Sequence, residues 1–204
     1  MPYQFNVPEG IVQDVYAGRK GIDAYSPYLS LLHNEHIIGV NMAYQLGDWV
    51  DICFFGDYGF FKKQKKGLSQ FTGMTATCAK GVDVSWVKYL HKNRRKDYGI
   101  TYAPGQISWN RNSGASAINL AVHLGVKQII LLGFDMRLDE GKNQHWHKCY
   151  TTNIKTVGHS LQAHLKGFPA IAEDLKKENI EVLNASPHSK IQEFKKLTIR
   201  ECLK

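Results

Sequence analysis

The chain has 204 residues, of which 43% are hydrophobic, and a formal net charge of +8 with histidines counted as neutral. That length suits a single domain with a substantial core, and the apolar content argues against disorder. No apolar run is long enough to cross a bilayer, and the first residues lack the charged and apolar regions of a signal peptide. Four scattered cysteines without a CxxC pair favour reduced thiols, so we expect a cytoplasmic protein.

Much of the positive charge is concentrated in three clusters, at residues 62–66, 92–96 and 195–204. Solvated helix faces and loops explain such runs in most proteins. The alternative is that the clusters attract a phosphorylated or polyanionic partner, including nucleic acid. No zinc-finger, helix-turn-helix or aromatic RNA-binding motif accompanies the charge, so nucleic acid is the less favoured partner.

In chain order, strand patterns alternate with helix patterns. The first 24 residues are the hardest to interpret: 11–16 suits a short strand or helix, and Gly18-Arg19-Lys20-Gly21 is a basic loop with the composition to hold phosphate. Strands are predicted at 36–41, 50–55, 74–79, 128–132 and 180–183. Helices are predicted at 24–34, 58–66, 84–91, 112–124, 160–178 (with a kink or boundary at Pro169) and 189–203.

This alternation predicts an α/β fold, a single Rossmann-like domain over residues 1–204 with a mostly parallel sheet and helices on both faces. The strongest functional signal is the stretch 112–136. Its polar opening, Asn112-Ser113-Gly114, leads into a helix, and the buried strand after that helix ends at Gly133-Phe134-Asp135. Open α/β sheets build their ligand crevices from such helix beginnings and strand ends.

Polar residues follow several of the predicted strands. In a parallel sheet these strand ends collect at one rim, which favours a small-molecule site and most naturally a nucleotide site. The residues at this rim are Asn41, Asp57, Asp135 and Asn184.

Several segments together resemble a family of Rossmann-like proteins common in bacteria and phages. They are Ile38–Asn41, Asp51–Asp57, Asn112–Ala115, Ile129–Met136 and Ile180–Ser186. The family groups flagellin-modifying motility accessory factors with MptE-like pterin pyrophosphokinases. It is similar in fold to the bacterial CMP-sialic-acid-dependent sialyltransferases of the lipooligosaccharide type. The resemblance covers roughly residues 25–197, and the Ser-Gly helix with the strand after it is the most specific part.

The resemblance implies a nucleotide-sugar-binding, glycosyltransferase-like protein that uses a CMP-type donor and needs no metal. It implies that Asn41, Ser113 and Gly114 help to hold the nucleotide. Physically, an asparagine can bind ribose or base edges, and a helix N-terminus can receive phosphate. The residues expected at the nucleotide site are Asn41, Asp57, Asn112, Ser113, Gly114, Asp135, Asn184 and Ser186.

The same resemblance implies a histidine general base in the loop after the Asp-ending strand. His159 matches the position in the sialyltransferases loosely, while His145 and His147 match a His-Trp-His segment of the phage members. Histidine suits this role because its unperturbed pKa is near neutrality. With Cys149, the pair His145 and His147 fits no standard zinc spacing, and we expect no zinc site there.

One departure from the family pattern keeps other functions open. Family members usually carry a glycine-rich Gly-x-Gly-Pro-Ser turn after the first strand, and here only Gly18–Gly21 stands in that region. The alternatives are a non-catalytic nucleotide-binding or interaction protein of phage origin, and a pyrophosphokinase with Mg²⁺ near Asp57 and Asp135. A glycosyltransferase acting on DNA is a further option, suggested by the charge alone.

Overall fold

The computed structural model describes residues 12–15, 26–93, 95–137 and 161–204. The described strands are β1 (Val12–Val15), β2 (His36–Val40), β3 (Ile52–Phe55), β4 (Met74–Thr77), β5 (Val87–Tyr89), β6 (His91–Lys92), β7 (Gln106–Ile107), β8 (Gln128–Leu132), β9 (Glu181–Asn184) and β10 (Lys195–Lys196). The described α-helices with defined bounds are α1 (Tyr58–Leu68), α2 (Ser113–His123), α3 (Phe168–Lys177) and α4 (Ile199–Cys202). Ser26–Leu32 and Asn41–Leu46 form 3-10 helices, and residues 161–165 are also helical.

Eight strands form one sheet in the order β10-β9-β8-β1-β2-β3-β4-β5, and all of their pairings are parallel. Strands β6 and β7 pair separately. The unbroken apolar runs of β3 and β8 are buried on both faces, as central strands of a parallel sheet require. The predicted α/β class with a mostly parallel sheet is confirmed.

Helices cover both faces of this sheet. On one face, Ile118 of α2 and Ile171 of α3 belong to the same buried cluster as Ile38, Phe54 and Leu131. On the other face, apolar residues of α1 pack with β3, and those of α4 pack with β8. Within the described residues, no helix is long and apolar enough to cross a membrane.

The helix predicted at 84–91 is wrong, because residues 87–89 form β5 and His91 begins β6. Val87 and Tyr89 pair with Thr75 and Thr77 along β4. Aromatic and β-branched residues suit a strand, and the free edge of β4 provides the partner. The spacing of apolar residues in so short a segment fits either structure, and the neighbouring strand decides between them.

The helix predicted at 189–203 is also mostly wrong. Lys195–Lys196 form β10 beside β9, and the helix begins only after Thr198. The Thr198 hydroxyl accepts from the N–H of Glu201, and the Glu201 carboxylate accepts from the N–H of Thr198. This capping box is a local start signal that sets the true beginning of the helix. By contrast, Pro169 does lie at the predicted boundary, in the first turn of α3.

The long connection before α2 is ordered by buried side-chain amides. The Asn119 oxygen accepts from the N–H groups of Thr101 and Ser108, at 3.0 and 2.9 Å. The Asn110 oxygen accepts from the Gly99 N–H at 2.8 Å. These amides satisfy backbone groups that no regular structure pairs. The connection therefore has a fixed path from β5 to the beginning of α2.

Candidate functional site

The strand order defines a crevice at the carboxyl ends of β1 and β8. From β1 the sheet grows through β2, β3, β4 and β5 in one direction, and through β8, β9 and β10 in the other. The order therefore reverses between β1 and β8. Ligands of open α/β sheets bind at this switch point, outside the carboxyl ends of the strands. The segment that follows β1 in sequence contains Gly18–Gly21, which lies outside the described residues.

Asn41 stands at this edge, directly after β2. Its backbone has a φ of 54°, in the left-handed region that few residues other than glycine adopt. Its Oδ1 is buried and has no hydrogen-bond partner within the described part of the chain. Buried polar atoms are nearly always paired, and residues held in strained backbone conformations cluster at functional sites. Among the predicted nucleotide contacts, Asn41 therefore has the clearest structural signature.

The beginning of α2 lies at the same edge, but its N–H groups are partly occupied. Asn112 is the N-cap, and its Oδ1 accepts from the N–H groups of Gly114 and Ala115 at 2.8 and 3.3 Å. Its Nδ2 contacts the Met136 sulfur at 3.6 Å. These two N–H groups of the helix N-terminus are therefore not free to receive a phosphate. Both Asn112 polar atoms are bonded, and Asn112 shapes the helix end rather than facing a ligand.

Gly114 and Ser113 each have a definite packing role at this helix beginning. A Cβ on Gly114 would come within 2.8 Å of the Phe134 ring, so the absent side chain lets α2 approach the end of β8. Ser113 is 6% exposed, and its Oγ would lie 3.0 Å from a Cβ on Gly56, at the end of β3. The Ser113 hydroxyl thus lies between the N-terminus of α2 and the carboxyl end of β3, where a phosphate oxygen gains from the helix dipole.

Two residues that the sequence did not single out complete this side of the edge. The Trp109 ring lies so close over Gly56 that a Cβ there would be 2.2 Å from Cζ3. The Lys92 ammonium lies 3.7 Å from the centre of the same ring, in cation–π geometry. Trp109 belongs to no recognisable motif, and Lys92 stood out only as the first residue of the basic cluster at 92–96. Together they bring a cation and an aromatic surface close to Ser113.

Asp57 and His164 lie near each other beside this group. Asp57 is exposed at the N-cap of α1 and its side chain makes no capping bond. His164 is half-buried, and its Nδ1 is buried without a hydrogen-bond partner in the described residues. Burial lowers the pKa of the His164 imidazole, and the Asp57 charge opposes that shift. This shift favours the neutral imidazole, which is the form that accepts a proton. The sequence did not single it out, because one histidine within a predicted helix carries no motif.

The other side of the crevice holds the remaining predicted rim residues. Asp135 is half-buried after β8; burial raises the pKa of its carboxyl, while the charges of Arg137 and His188 lower it. Asn184 is fully buried at the end of β9, and its Oδ1 accepts from the Ser186 N–H at 3.0 Å. The Asn184 Nδ2 is without a hydrogen-bond partner in the described residues, which makes it a second amide with an unpaired atom at this edge.

The predicted rim residues thus share one edge but do not all meet. Strands β3 and β8 are three positions apart in the sheet, or about 14 Å at the usual strand spacing. Asp57 and Asp135 therefore follow strands at different places along this edge. In the described ranges, no three histidine, cysteine or acidic side chains form a metal-binding group. His145, His147 and His159 lie outside the described residues.

The fold and this edge together define a Rossmann-like α/β protein with polar residues at the carboxyl ends of its parallel strands. Its architecture is similar to that of the sialyltransferase CstII from Campylobacter jejuni, solved in complex with a substrate analogue, cytidine-5'-monophosphate. The similarity has a TM-score of 0.55 at 14% sequence identity and covers 94% of this chain and 86% of that chain. No protein-family model and no curated protein matches this chain. The chain therefore has a sialyltransferase-like fold.

Proposed function

We propose that this protein binds a CMP-type nucleotide at the carboxyl edge of its sheet and transfers a sugar from a CMP-sugar donor. The observation that carries the proposal is Asn41, whose buried Oδ1 lacks a partner in the described chain and lies beside the switch point. An amide oxygen accepts hydrogen bonds from a ribose hydroxyl or from the amino group of cytosine. The structure of similar fold that holds cytidine-5'-monophosphate supports this choice of nucleotide.

The phosphate of such a ligand would lie at the N-terminus of α2. Ser113 offers its hydroxyl there, next to the positive end of the helix dipole. Lys92, held on the Trp109 ring, adds a full positive charge on the same side. This arrangement neutralises the phosphate of CMP, both in the donor and in the leaving group.

The transfer step needs a base for the acceptor. As the acceptor oxygen bonds to the anomeric carbon, the bond from that carbon to the phosphate oxygen breaks. CMP leaves with the electron pair, and the acceptor proton passes to a neutral imidazole. The resemblance suggests His145, His147 or His159 for this role. His164 joins them as a fourth candidate, because burial favours its neutral form and it lies near Asp57.

A thermal-shift comparison of CMP, CMP-sugars and ATP, each with and without Mg²⁺, tests the binding. Ligand at about a hundred times its Kd adds about 2.7 kcal/mol, or roughly 5–10 °C in Tm for a chain of this size. We expect CMP and CMP-sugars to give this shift without Mg²⁺. A preference for ATP with Mg²⁺ would favour the pyrophosphokinase alternative, and no response to any nucleotide would overturn the proposal.

An assay of CMP-sugar hydrolysis tests the chemistry, and the quantity measured is the CMP released. Four variants are compared: His145→Gln, His147→Gln, His159→Gln and His164→Gln. The one that removes the base should lower turnover by about a hundredfold or more while the thermal shift with CMP is unchanged. Nucleotide binding without turnover in the unmodified protein would support the non-catalytic alternative instead.

A further inference from the structure

The positive charge of the chain is concentrated on one part of the fold. Residues 58–92 contain seven lysines and one acidic residue, Asp83, which gives seven minus one, or +6 of the total +8. This segment forms α1, β4, β5 and β6, at the β5 end of the sheet. Three quarters of the net charge therefore lies in 35 residues. Ordinary solvation of a helix face does not explain such a concentration. A concentrated field of this kind attracts polyanions.

Exposed aromatic rings lie among these lysines. Tyr58 is 45% exposed and Trp86 is 37% exposed, and each ring packs against Phe61, at centroid distances of 6.2 and 6.1 Å. The Lys65 ammonium lies 5.9 Å from the centre of the same Phe61 ring. Tyr58 and Lys62 follow each other at helical spacing on α1, as do Phe61 and Lys65. Rings and cations thus alternate across one surface.

The edge strand β5 extends this surface. Tyr89 is 37% exposed and points to the same side of the strand as Val87, which packs in the α1 cluster. Five large hydrophobic residues are exposed in the described chain, and three of them, Tyr58, Trp86 and Tyr89, lie here. Exposed aromatics that gather in one place mark an interaction site more often than scattered ones do. We call the group Tyr58, Lys62, Lys65, Trp86 and Tyr89 the α1–β5 surface.

We propose that the α1–β5 surface binds single-stranded nucleic acid. Lysines attract the phosphates, and exposed rings provide faces on which unpaired bases stack. A polyanion without bases would use the lysines but gain little from Trp86 and Tyr89. This inference is independent of the nucleotide site, because Lys62, Lys65, Trp86 and Tyr89 take no part in that site.

Fluorescence anisotropy with a labelled 20-nucleotide oligothymidine, over a series of NaCl concentrations, tests the proposal. The variant Lys62→Ala/Lys65→Ala should bind more weakly, and its slope of log affinity against log salt should fall in magnitude by about 1.4, from two lost phosphate contacts. Trp86→Ala should weaken binding about five- to a hundredfold while the salt slope stays the same, because a stacked base releases no counterion.

Matched controls remove the same groups elsewhere on the molecule. Lys127→Ala/Lys176→Ala removes two exposed lysines, one before β8 and one on α3, and Tyr102→Ala removes an aromatic that is 47% exposed. These variants should bind the oligonucleotide within about twofold of the original protein. Thermal unfolding of each variant confirms that it is folded, and the lysine variants test the proposal even if Trp86→Ala is destabilised.

Two results would overturn the proposal. One is an equal loss of affinity in the Lys127/Lys176 control, which would indicate general charge attraction. The other is binding of inorganic polyphosphate as tight as that of the oligonucleotide, with Trp86→Ala without effect. That outcome would assign the surface to a polyanion that carries no bases.

Discussion

At the scale of single residues, asparagines in similar sequence positions have different roles. Asn41 and Asn112 both lie at the beginning of a helical segment by the same edge of the sheet. Asn112 uses both polar atoms within the protein, on Gly114, Ala115 and Met136. Asn41 keeps a buried oxygen that no described residue satisfies. The difference arises because Asn112 caps an α-helix, whereas Asn41 turns the chain in a left-handed conformation.

The substitution Asn41→Gly separates the role of the Asn41 side chain from that of its backbone conformation. Glycine adopts a φ of 54° without strain, so the fold should be kept while the side-chain amide is lost. We expect affinity for CMP to fall about five- to a hundredfold, the effect of leaving a ligand group unpaired, with little change in Tm. Isothermal titration with CMP and a thermal melt measure the two quantities.

Asn179→Gly is the control for this change. Asn179 also has a φ of 54°, but it lies after the end of α3. Its replacement should leave affinity for CMP unaltered. If both variants lost the same affinity, or neither did, Asn41 would have no role in nucleotide binding.

At the scale of elements, the beginning of α2 depends on how closely it packs against the end of β8. Phe134 lies at that strand end and is fully buried. A Cβ on Gly114 would lie 2.8 and 2.9 Å from two of its ring atoms. A strand–helix contact this close needs glycine at position 114. The glycine of the Ser-Gly pair is therefore explained by packing, even before any ligand is considered.

The substitution Gly114→Ala should destabilise the protein by about 1–3 kcal/mol, because the added methyl group overlaps a buried ring. Gly59→Ala is the matched change in α1, where a Cβ meets nothing within 4 Å. That variant should be stabilised by up to about 1 kcal/mol, because alanine favours helix more than glycine does. Urea unfolding measures both. Destabilisation of the same size in both variants would show that packing against Phe134 is not the cause.

At the scale of the whole molecule, Asp174 joins α3 to the long connection that leads to the site. Its Oδ2 accepts from the Lys96 ammonium at 2.6 Å and from the Ile100 N–H at 2.8 Å. Burial alone would raise the pKa of this carboxyl, but the bonds from Ile100 and Lys96 outweigh it and hold the pKa below its ordinary value. The Asp174 side chain is 15% exposed and that of Lys96 is 40% exposed, so solvent weakens the ion pair more than the bond from the Ile100 N–H.

A lowered pKa in the folded state has a defined effect on acid stability. The contribution of Asp174 is complete above its unfolded pKa of about 3.9, and is lost as the pH falls through its lower folded value. Asp174→Asn should therefore lower the free energy of unfolding by about 1–3 kcal/mol at pH 7. It should also reduce the loss of stability below pH 4, as measured by urea unfolding at several pH values.

Glu173→Gln serves as the control, since Glu173 is 71% exposed in its pair with Lys177. Exposed pairs contribute little, so neither the stability at pH 7 nor its decline in acid should change. If the free energy of unfolding of Asp174→Asn fell in acid as much as that of the original protein, another group would be responsible for the decrease.

The sequence by itself determined the fold class and several of the central strands and helices. The runs of β2, β3 and β8, the helix α2 and the boundary at Pro169 follow from local patterns, because burial on both faces and capping leave marks within a few residues. The position of the polar rim residues at one edge follows from the same reasoning, since parallel strands share their carboxyl side. These predictions needed no knowledge of which segments meet.

The tertiary structure alone decided what depends on distant partners. Residues 87–89 and 195–196 are strands because β4 and β9 offer them open edges, and no local pattern specifies that. The central place of β1, the contact of the Asn112 amide with the Met136 sulfur and the nearness of His164 to Asp57 are likewise set by segments far apart in sequence. The lysines of α1 were visible in the sequence, but packing against Phe61 is what placed exposed rings among them.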